Sequence, residues 1–340
     1  NDFFNQIEFQ YSSVRFADKF KDHIQNSNKI LLILNTQLSH FIGNNNTEHA
    51  VCISNGLIKK VTAKYFILAC GGIENSRILL WTKAKNKKFI NNDLPIGKYW
   101  MNHPWILGGA GIINKKNLKK KLGNNFLEYD GPLHFAAKKE LVNKKKILSA
   151  AMYMNAKEDT KIYKEIIKDI LCVAPEYGKK IARMIFKKDL KCGNIFMNIE
   201  DDPNENNKIV LDKEKDEFGI PMVKLFYKKS KYSLKTAKLF LEEFGNLCRK
   251  DDLGRIAIKD SISNLEGYEQ LGANHHLGGT KMGINKSESV VNKDLKVHGI
   301  NNLYISGSSS FVTSGYTNPT FTIVQLAIRL AEKISERLQA

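Results

Sequence analysis

The sequence predicts an α/β domain into which a second, antiparallel-sheet domain with helices is inserted, and three observations carry this prediction. An apolar run at 65–69 is followed at once by Gly71 and Gly72 and then by a helical pattern at 73–81. A strand, a glycine turn and a helix in succession are typical of α/β folds. After residue 104 the pattern changes to short apolar stretches and amphipathic helical stretches, and the α/β character returns near residue 271. We therefore predict three segments, 1–103, 104–268 and 269–340, in which the first and last form one domain.

Within the two outer segments, short apolar stretches alternate with turn residues. Because the run at 65–69 is uniformly apolar, we expect its strand to be covered on both faces. Near the C-terminus Asn318 has the side chain of a helix N-cap, and Pro319 suits the first helical position, where its missing N–H costs nothing. The strands predicted in these segments are 29–35, 50–54, 65–69 and 302–306.

The middle segment has the alternation expected of an antiparallel sheet with helices around it. Apolar stretches at 195–199 and 223–227 predict strands, and the polar residues and glycine at 216–221 predict the turn that precedes the second of them. Amphipathic patterns at 163–171 and 233–247 predict helices.

Composition bounds the class of protein. The 340 residues contain 42% hydrophobic side chains, which is typical of a globular chain of roughly two domains and excludes a disordered chain or a fibre. No apolar run reaches the ~18 residues that a membrane-spanning helix needs. There are 53 Lys and Arg against 35 Asp and Glu, a net charge of +18. We interpret lysine runs such as 115–121 as solvated surface, because few arginines or aromatics accompany them, and we predict no nucleic-acid partner. A polyanion or membrane-surface site stays the alternative, which salt-dependent retention on heparin would favour.

The cysteines indicate a reducing compartment. There are five, an odd number, widely scattered and without a C-x-x-C pair, so neither a disulfide framework nor a zinc site is predicted. No cluster of His, Cys, Asp and Glu has metal-binding spacing, and we expect no metal. We predict a cytoplasmic location. Because the chain begins at Asn1 and not at Met, we also expect that an N-terminal part precedes it and could carry a targeting segment.

Several common motifs are absent. The sequence has no G-x-S-x-G, no G-x-x-x-x-G-K-[ST] phosphate loop and no G-x-G-x-x-G dinucleotide turn. The glycines at 109–111 come nearest to the last pattern, but Asn114 replaces its third glycine, and we predict a glycine-bearing strand there.

Two glycine-rich segments near the C-terminus, 275–283 and 307–320, indicate a binding site. Closely spaced glycines let a backbone approach a flat ligand. A helix that begins near Asn318 presents free N–H groups and a positive dipole end, which suit a ligand that gains negative charge. A histidine such as His275 can accept a proton near neutral pH.

Four motifs, in order, carry a resemblance. Segment 69–77 reads as strand, glycine turn and helix, and 96–104 follows the pattern Gly-x-x-x-x-x-His-Pro. Segment 275–283 follows His-x-x-Gly-Thr-x-x-Met-Gly without a gap, with Gly279 in place of the threonine, and 318–322 reads Asn-Pro-Thr-x-Thr. In these motifs the chain resembles the glucose–methanol–choline (GMC) family of FAD-dependent oxidoreductases. It is most similar to the sugar-oxidising branch, which includes pyranose-oxidase-like and fructose-dehydrogenase-like enzymes.

The resemblance implies an α/β FAD-binding domain, FAD as the cofactor and an alcohol or sugar as the substrate; the electron acceptor stays open. His275 would be the base that takes the hydroxyl proton, with His276 as the reserve candidate, and Asn318 would face the substrate oxygen. The plainer alternatives are a loop histidine bonded to backbone and a simple N-cap. His103 is expected to be structural. The residues expected to hold the cofactor are Gly71 and Gly72 at its ADP part, Gly307 and Ser308 by backbone contacts along the flavin, and Pro319 and Thr320 at the flavin edge.

One departure leaves a second hypothesis open. The family's N-terminal G-x-G-x-x-G turn has no counterpart here, so the chain resembles the C-terminal two-thirds of such an enzyme. The alternative function is a truncated, non-catalytic fragment that needs the missing N-terminal part to bind FAD.

Overall fold

The structure, a computed structural model, describes residues 3–7, 14–127, 132–155, 190–272 and 275–339. The helix predicted at 163–171 lies outside these residues. The strands, numbered along the chain, are β1 Phe4–Ile7, β2 Thr36–Gly43, β3 Thr47–Ser54, β4 Leu57–Val61, β5 Phe66–Leu68, β6 Trp105–Asn114, β7 Leu133–Ala137, β8 Ala150–Asn155, β9 Leu190–Ile199, β10 Lys208–Lys215, β11 Pro221–Phe226, β12 Gly254–Ile258, β13 Gln270–Gly272 and β14 Leu303–Ile305. The helices are α1 Phe16–Asn26, α2 Glu74–Lys85, α3 Lys115–Leu122, α4 Lys139–Lys145, α5 Lys231–Lys250, α6 Asp260–Ser263 and α7 Thr320–Gln339.

The largest sheet is antiparallel and is formed mostly by the middle of the chain. Its order is β1-β7-β8-β9-β6-β12, and β13 pairs with β6 as well. Helix α5 packs on this sheet and buries Phe240 and Phe244 against it. The predictions of an antiparallel middle sheet, of strands at 195–199 and 223–227 and of a helix at 233–247 are confirmed.

The glycine-bearing stretch at 109–114 is a strand, as predicted, and Gly109 shows why glycine is needed. Its φ is +153°, and a Cβ at this position would lie 2.0 Å from the carbonyl oxygen of Ala257 on the neighbouring strand. A side chain there would force β6 and β12 apart.

A second core lies between the small sheets and helices of the two outer segments. Strands β5 and β14 pair in parallel, β2, β3 and β4 form an antiparallel sheet, and α2 and α7 contribute buried residues. Leu68 and Tyr304 are fully buried at its centre. The strands predicted at 50–54, 65–69 and 302–306 and the helix predicted at 73–81 are confirmed. The division into domains stays a prediction.

Two expectations for the first segment are wrong. Residues 29–35 do not form a strand, and the apolar run within them is exposed, with Leu31 at 84%. Strand β5 is covered on one face only, because Phe66 and Leu68 are buried whereas Ile67 is 49% exposed. In both cases the apolar pattern predicted burial that the structure does not show. Whether a side chain is covered depends on a second element packing over it, and the described residues supply none here.

The turn predicted at 216–221 is confirmed and joins β10 to β11. The carboxylate of Asp216 accepts hydrogen bonds from the N–H groups of Phe218 and Ile220. Arg77 of α2 donates 2.5 Å and 2.7 Å hydrogen bonds to Asp216 and to the carbonyl of Pro221. This arginine attaches the hairpin to the helix that follows the glycine turn.

Helix α7 begins at Thr320, one residue later than predicted. Its buried residues Leu330 and Ile334 join the second core, and Arg337 donates a hydrogen bond to the Tyr304 hydroxyl. None of the described helices is both long and apolar enough to cross a membrane.

Candidate functional site

The site forms where the two parallel strands end side by side. Leu68, the last residue of β5, pairs with Ile305, the last residue of β14. Each strand is followed by a glycine with a positive φ, +99° at Gly71 and +127° at Gly307. Ligands of open α/β sheets bind at the carboxyl ends of the parallel strands. We therefore expect a ligand to bind at this edge of the sheet.

Asn75, in the first turn of α2, ties the two strand ends together. It is fully buried, and its Oδ1 accepts a 2.8 Å hydrogen bond from the N–H of Cys70. Its Nδ2 donates to the carbonyl of Ser306 at 3.2 Å and to Oγ of Ser309 at 2.9 Å. The turn after β5 and the turn after β14 are thus held by one side chain.

The segment after His275 runs directly beside the turn that follows β14. The hydroxyl of Ser308 donates a 2.6 Å hydrogen bond to the carbonyl of His276. Three backbone N–H groups of the histidine segment donate to carbonyls of the serine turn at 2.9–3.1 Å: Gly278 to Ser308, Thr280 to Ser309 and Met282 to Ser310.

The opposite side of this segment is covered by the motif at 96–104. Leu277 and Met101 exchange backbone hydrogen bonds of 2.8 Å and 3.0 Å. The N–H of Gly279 donates to Lys98, and the N–H of Gly97 donates to the Gly279 carbonyl. Motifs 69–77 and 275–283 therefore contact the serine turn 308–310, and motif 96–104 packs on the other side of the histidine segment.

The ring of His275 is paired with the ring of His103. Its Nδ1 lies 2.6 Å from Nε2 of His103, and the two rings are nearly parallel, 8° apart with centroids at 4.5 Å. His103 is only 2% exposed. From the sequence His103 was expected to be structural only, because 172 positions separate the two histidines. The only signal was that both lie in motifs of the same resemblance.

Both rings of this pair are neutral near pH 7. Burial, followed by the neighbouring His275, lowers the pKa of His103 to about 4. Burial, followed by the charge of His276, lowers the pKa of His275. A neutral imidazole has one nitrogen lone pair free, so His275 is able to accept a proton.

His276, the reserve candidate, is held in a different environment. Its ring packs at 5.7 Å from that of Trp100, and its Nδ1 is buried with no hydrogen-bond partner in the part of the chain that the structure describes. Burial lowers its pKa. A Cβ on Gly72 would lie 2.2 Å from the His276 carbonyl oxygen, so glycine at position 72 lets the first glycine turn pack on the histidine segment.

Asp201, which the sequence analysis missed, is buried beside the backbone of Asn102, the residue before His103. Its Oδ2 accepts a 3.2 Å hydrogen bond from the N–H of Asn102, and its own N–H donates to Oγ of Ser314 at 2.7 Å. Burial raises the pKa of this carboxyl group to about 6, against the lowering effect of the hydrogen bonds it accepts. Asp201 thereby connects the end of β9 to the His103 segment and to the loop before α7. A buried carboxylate gives no signal in a single sequence.

The start of α7 packs on the histidine segment, and no hydrogen bond joins Asn318 to His275 among the described residues. Ile323 and Leu326 lie against a small cluster of Leu277, Met101 and Phe311. Asn318 is exposed and, among the described residues, makes no hydrogen bond. Pro319 is buried and Thr320 is exposed at the first helical position. The pairing of Asn318 with His275 stays a prediction.

The glycines at the strand ends leave room for a ligand such as FAD. A Cβ on Gly71 would meet no atom within 4 Å, and one on Gly307 would meet only Nδ2 of Asn75 at 3.7 Å. The Ser308 hydroxyl donates to His276 and the Ser308 carbonyl accepts from Gly278, so among the described residues only the backbone N–H of Ser308 is left for a ligand. Open glycine backbones at the ends of parallel strands fit a phosphate-bearing, flat cofactor. No group of three or more His, Cys, Asp or Glu among the described residues could hold a metal ion.

Comparison with known proteins gives a consistent picture. Residues 203–327 match the sequence model of the family described as GMC oxidoreductase. The fructose dehydrogenase large subunit of Gluconobacter japonicus is 28% identical over 295 residues, 82% of this chain and 48% of that protein. The 2-methyl-1,2-propanediol dehydrogenase of Mycolicibacterium austroafricanum is 27% identical over 291 residues, 83% of this chain and 50% of that protein. The chain therefore spans about half the length of these relatives.

Solved structures share the fold. The crystal structure of pyridoxine 4-oxidase from Mesorbium loti superposes with a TM-score of 0.60 at 10% identity, covering 94% of this chain and 61% of that one. A formate oxidase structure gives a TM-score of 0.53 at 13% identity, covering 92% of this chain and 62% of that one. At these identities the likeness establishes the fold alone, and it agrees with the predicted α/β architecture.

Proposed function

We propose that this chain, of which residues 203–327 match the GMC oxidoreductase model, works as an FAD-dependent oxidoreductase that acts on the CH–OH group of an alcohol or a sugar. The observation that carries the proposal is the neutral His275, held by His103 beside the glycine turns at the ends of two parallel strands. The relatives' names support the substrate class, since they include a fructose dehydrogenase subunit, a diol dehydrogenase and a C-glycoside 3-oxidase.

In this proposal the outer segments, 1–103 and 269–340, hold the cofactor, and 104–268 covers the substrate. Gly71 and Gly72 would lie at the ADP part of FAD, and the backbones of Gly307 and Ser308 along its flavin. Pro319 and Thr320 would present the start of α7, whose free N–H groups favour negative charge. Bound FAD would supply the acceptor for the hydride that leaves the substrate carbon.

The protein's own part in the reaction is to move one proton and to hold the substrate oxygen. His275 would take the hydroxyl proton as the carbon loses its hydride, because its Nδ1 is engaged by His103 and the other ring nitrogen is left to react. The Asn318 amide would donate a hydrogen bond to the same oxygen and stabilise the negative charge that develops there. Its exposed position at the start of α7 leaves its amide free of competing partners among the described residues.

The test compares three histidine variants for FAD binding and for flavin reduction. Equilibrium dialysis measures FAD binding by the 340-residue chain, and anaerobic loss of the flavin's visible absorbance measures reduction by a panel of sugars, polyols and simple alcohols. We expect His275→Ala to bind FAD as the wild type does and to be reduced ~10²–10⁴-fold more slowly, the usual contribution of a general base. His23→Ala, on the exposed face of α1, is the control.

Two results would contradict the proposal for this chain. One is reduction of the His275→Ala flavin at the wild-type rate with a substrate that reduces the wild type. The other is a chain that binds no FAD at any concentration tested. Loss of reduction in His276→Ala instead of His275→Ala would move the base to the neighbouring histidine.

A further inference from the structure

We propose that His103 is a positioning residue that keeps neutral His275 protonated on Nδ1, so that its Nε2 keeps the lone pair that accepts the substrate proton. The part that concerns proton uptake rests on the proposed function, whereas the position of the proton on His275 is a property of this chain alone. The inference starts from the 2.6 Å separation of His275 Nδ1 and His103 Nε2.

A contact of this length between two ring nitrogens holds one proton. Two neutral imidazoles can share it in two ways. Either His275 donates from Nδ1 and its Nε2 is a free base, or His103 donates from Nε2 and the His275 proton sits on Nε2. In the second arrangement His275 has no lone pair on the side away from His103 and cannot accept a substrate proton there.

The surroundings of His103 make it a fixed hydrogen-bond partner of His275 and not a second base. It is 2% exposed, its N–H donates a 3.0 Å hydrogen bond to Oδ1 of Asn102, and the N–H of Asn102 in turn donates to Asp201. Its backbone is thus held from β9. Because its pKa lies at about 4, it stays neutral through the range in which His275 would work.

The first arrangement also accommodates the reaction without rearrangement. When His275 gains a proton on Nε2, its Nδ1–H already points at the His103 lone pair, and the existing hydrogen bond becomes charge-assisted. No proton has to leave the contact and no ring has to turn. In this arrangement the second nitrogen of His103, Nδ1, carries the other proton, and it is buried without a partner among the described residues.

The test reads the position of the proton directly. Long-range ¹H–¹⁵N spectra of the 340-residue chain, labelled on the histidine rings, distinguish Nδ1–H from Nε2–H imidazole, and the eight histidines are assigned by single substitutions. We expect His275 to show the Nδ1–H form. In His103→Phe, which removes the acceptor, we expect the His275 signals to shift to the Nε2–H form that free histidine favours. His103→Gln offers a carbonyl acceptor, and we expect it to restore the Nδ1–H form.

A wild-type spectrum with His275 in the Nε2–H form overturns the inference, and this measurement needs no variant to fold. An Nδ1–H form that persists in a folded His103→Phe also overturns it. Flavin reduction gives a separate arm: His103→Phe should lower kcat about tenfold with KM unchanged, the pattern of a lost transition-state interaction, and His103→Gln should recover part of it. Should His275→Ala keep full activity while the wild-type spectrum shows Nδ1–H, the proposed function fails and the inference about His103 stands.

Discussion

Nδ2 of Asn75 donates a 2.9 Å hydrogen bond to Oγ of Ser309, across 234 positions of sequence and in a fully buried contact. The same amide group bonds Cys70 N and Ser306 O. One side chain thereby holds the turns after both parallel strands, and the glycines at those turns depend on it for their position.

Asn75→Ala should therefore destabilise the protein strongly. It leaves the N–H of Cys70 and the carbonyl of Ser306 without their partner in two part-buried contacts, and an unpaired group costs about 1–3 kcal/mol when it is fully buried. We expect the free energy of unfolding in urea to fall by about 2–4 kcal/mol. Asn318→Ala, at an exposed asparagine without hydrogen bonds among the described residues, is the matched control and should change it by less than about 0.5 kcal/mol. Equal effects of the two substitutions would contradict this role of Asn75.

The two adjacent glycines of the first turn should respond differently to alanine. A Cβ on Gly71 meets nothing within 4 Å, so Gly71→Ala costs only the strain of a side chain at φ +99°, about 1–2 kcal/mol. A Cβ on Gly72 would lie 2.2 Å from the His276 carbonyl oxygen, so Gly72→Ala must push the histidine segment away. We expect Gly72→Ala to lower the free energy of unfolding more than Gly71→Ala does. We also expect only Gly72→Ala to change the NMR signals of the His275 ring. A shift of those signals in Gly71→Ala of the same size would argue against this difference.

Arg77 and Asp216 should be energetically coupled. The side chains are 12% and 24% exposed and their charged atoms lie 2.5 Å apart. A double-mutant cycle with Arg77→Ala and Asp216→Ala should give a coupling of about 1–2 kcal/mol, the range for hydrogen bonds to charged groups. A second cycle, with Arg77→Ala and Glu74→Ala, should give a coupling of about 0.2–0.5 kcal/mol, because Glu74 is 38% exposed and lies three residues from Arg77 on the same helix. Coupling of similar size in both cycles would show that the hairpin is not held by this contact.

Asp201 should make stability depend on pH in the opposite direction to an ordinary carboxylate. Its pKa is about 6 in the folded protein and about 3.9 when unfolded, so between these values the folded state holds a proton that the unfolded state has lost. Its contribution therefore weakens as pH rises from about 4 to 6, by on the order of 3 kcal/mol in total.

Urea unfolding of the wild type and of Asp201→Asn at several pH values measures this contribution as the difference between the two curves. The neutral amide has no proton to lose, so we expect the wild type to lose stability relative to the variant as pH rises through this range. A difference that is constant with pH would mean that Asp201 ionises in the folded state with an ordinary pKa.

The positions of most elements were predicted correctly because they depend on local pattern. The uniformly apolar strand at 65–69, the turn chemistry at 216–221 and the amphipathic helix at 233–247 each carry their signal within a few neighbouring residues. The strand predicted at 29–35 failed for the complementary reason. An apolar run shows that its side chains favour burial, but a strand forms only where a partner strand is available. Residues 29–35 form no strand and stay exposed.

The sequence by itself determined which segments pack together, since motifs 69–77 and 275–283 contact the serine turn 308–310 and motif 96–104 packs on the histidine segment. Only the tertiary structure decided how they meet: His103 pairs with His275, Asn75 bridges two strand ends, and Asp201 is buried against the Asn102 backbone. Asn318, placed in the site by its motif, is left exposed and apart from these contacts. The physical reason is that residues far apart in sequence form a hydrogen bond only when folding brings the donor and acceptor atoms to within about 3 Å of each other. Such distances are a property of the packed chain, and no local preference encodes them.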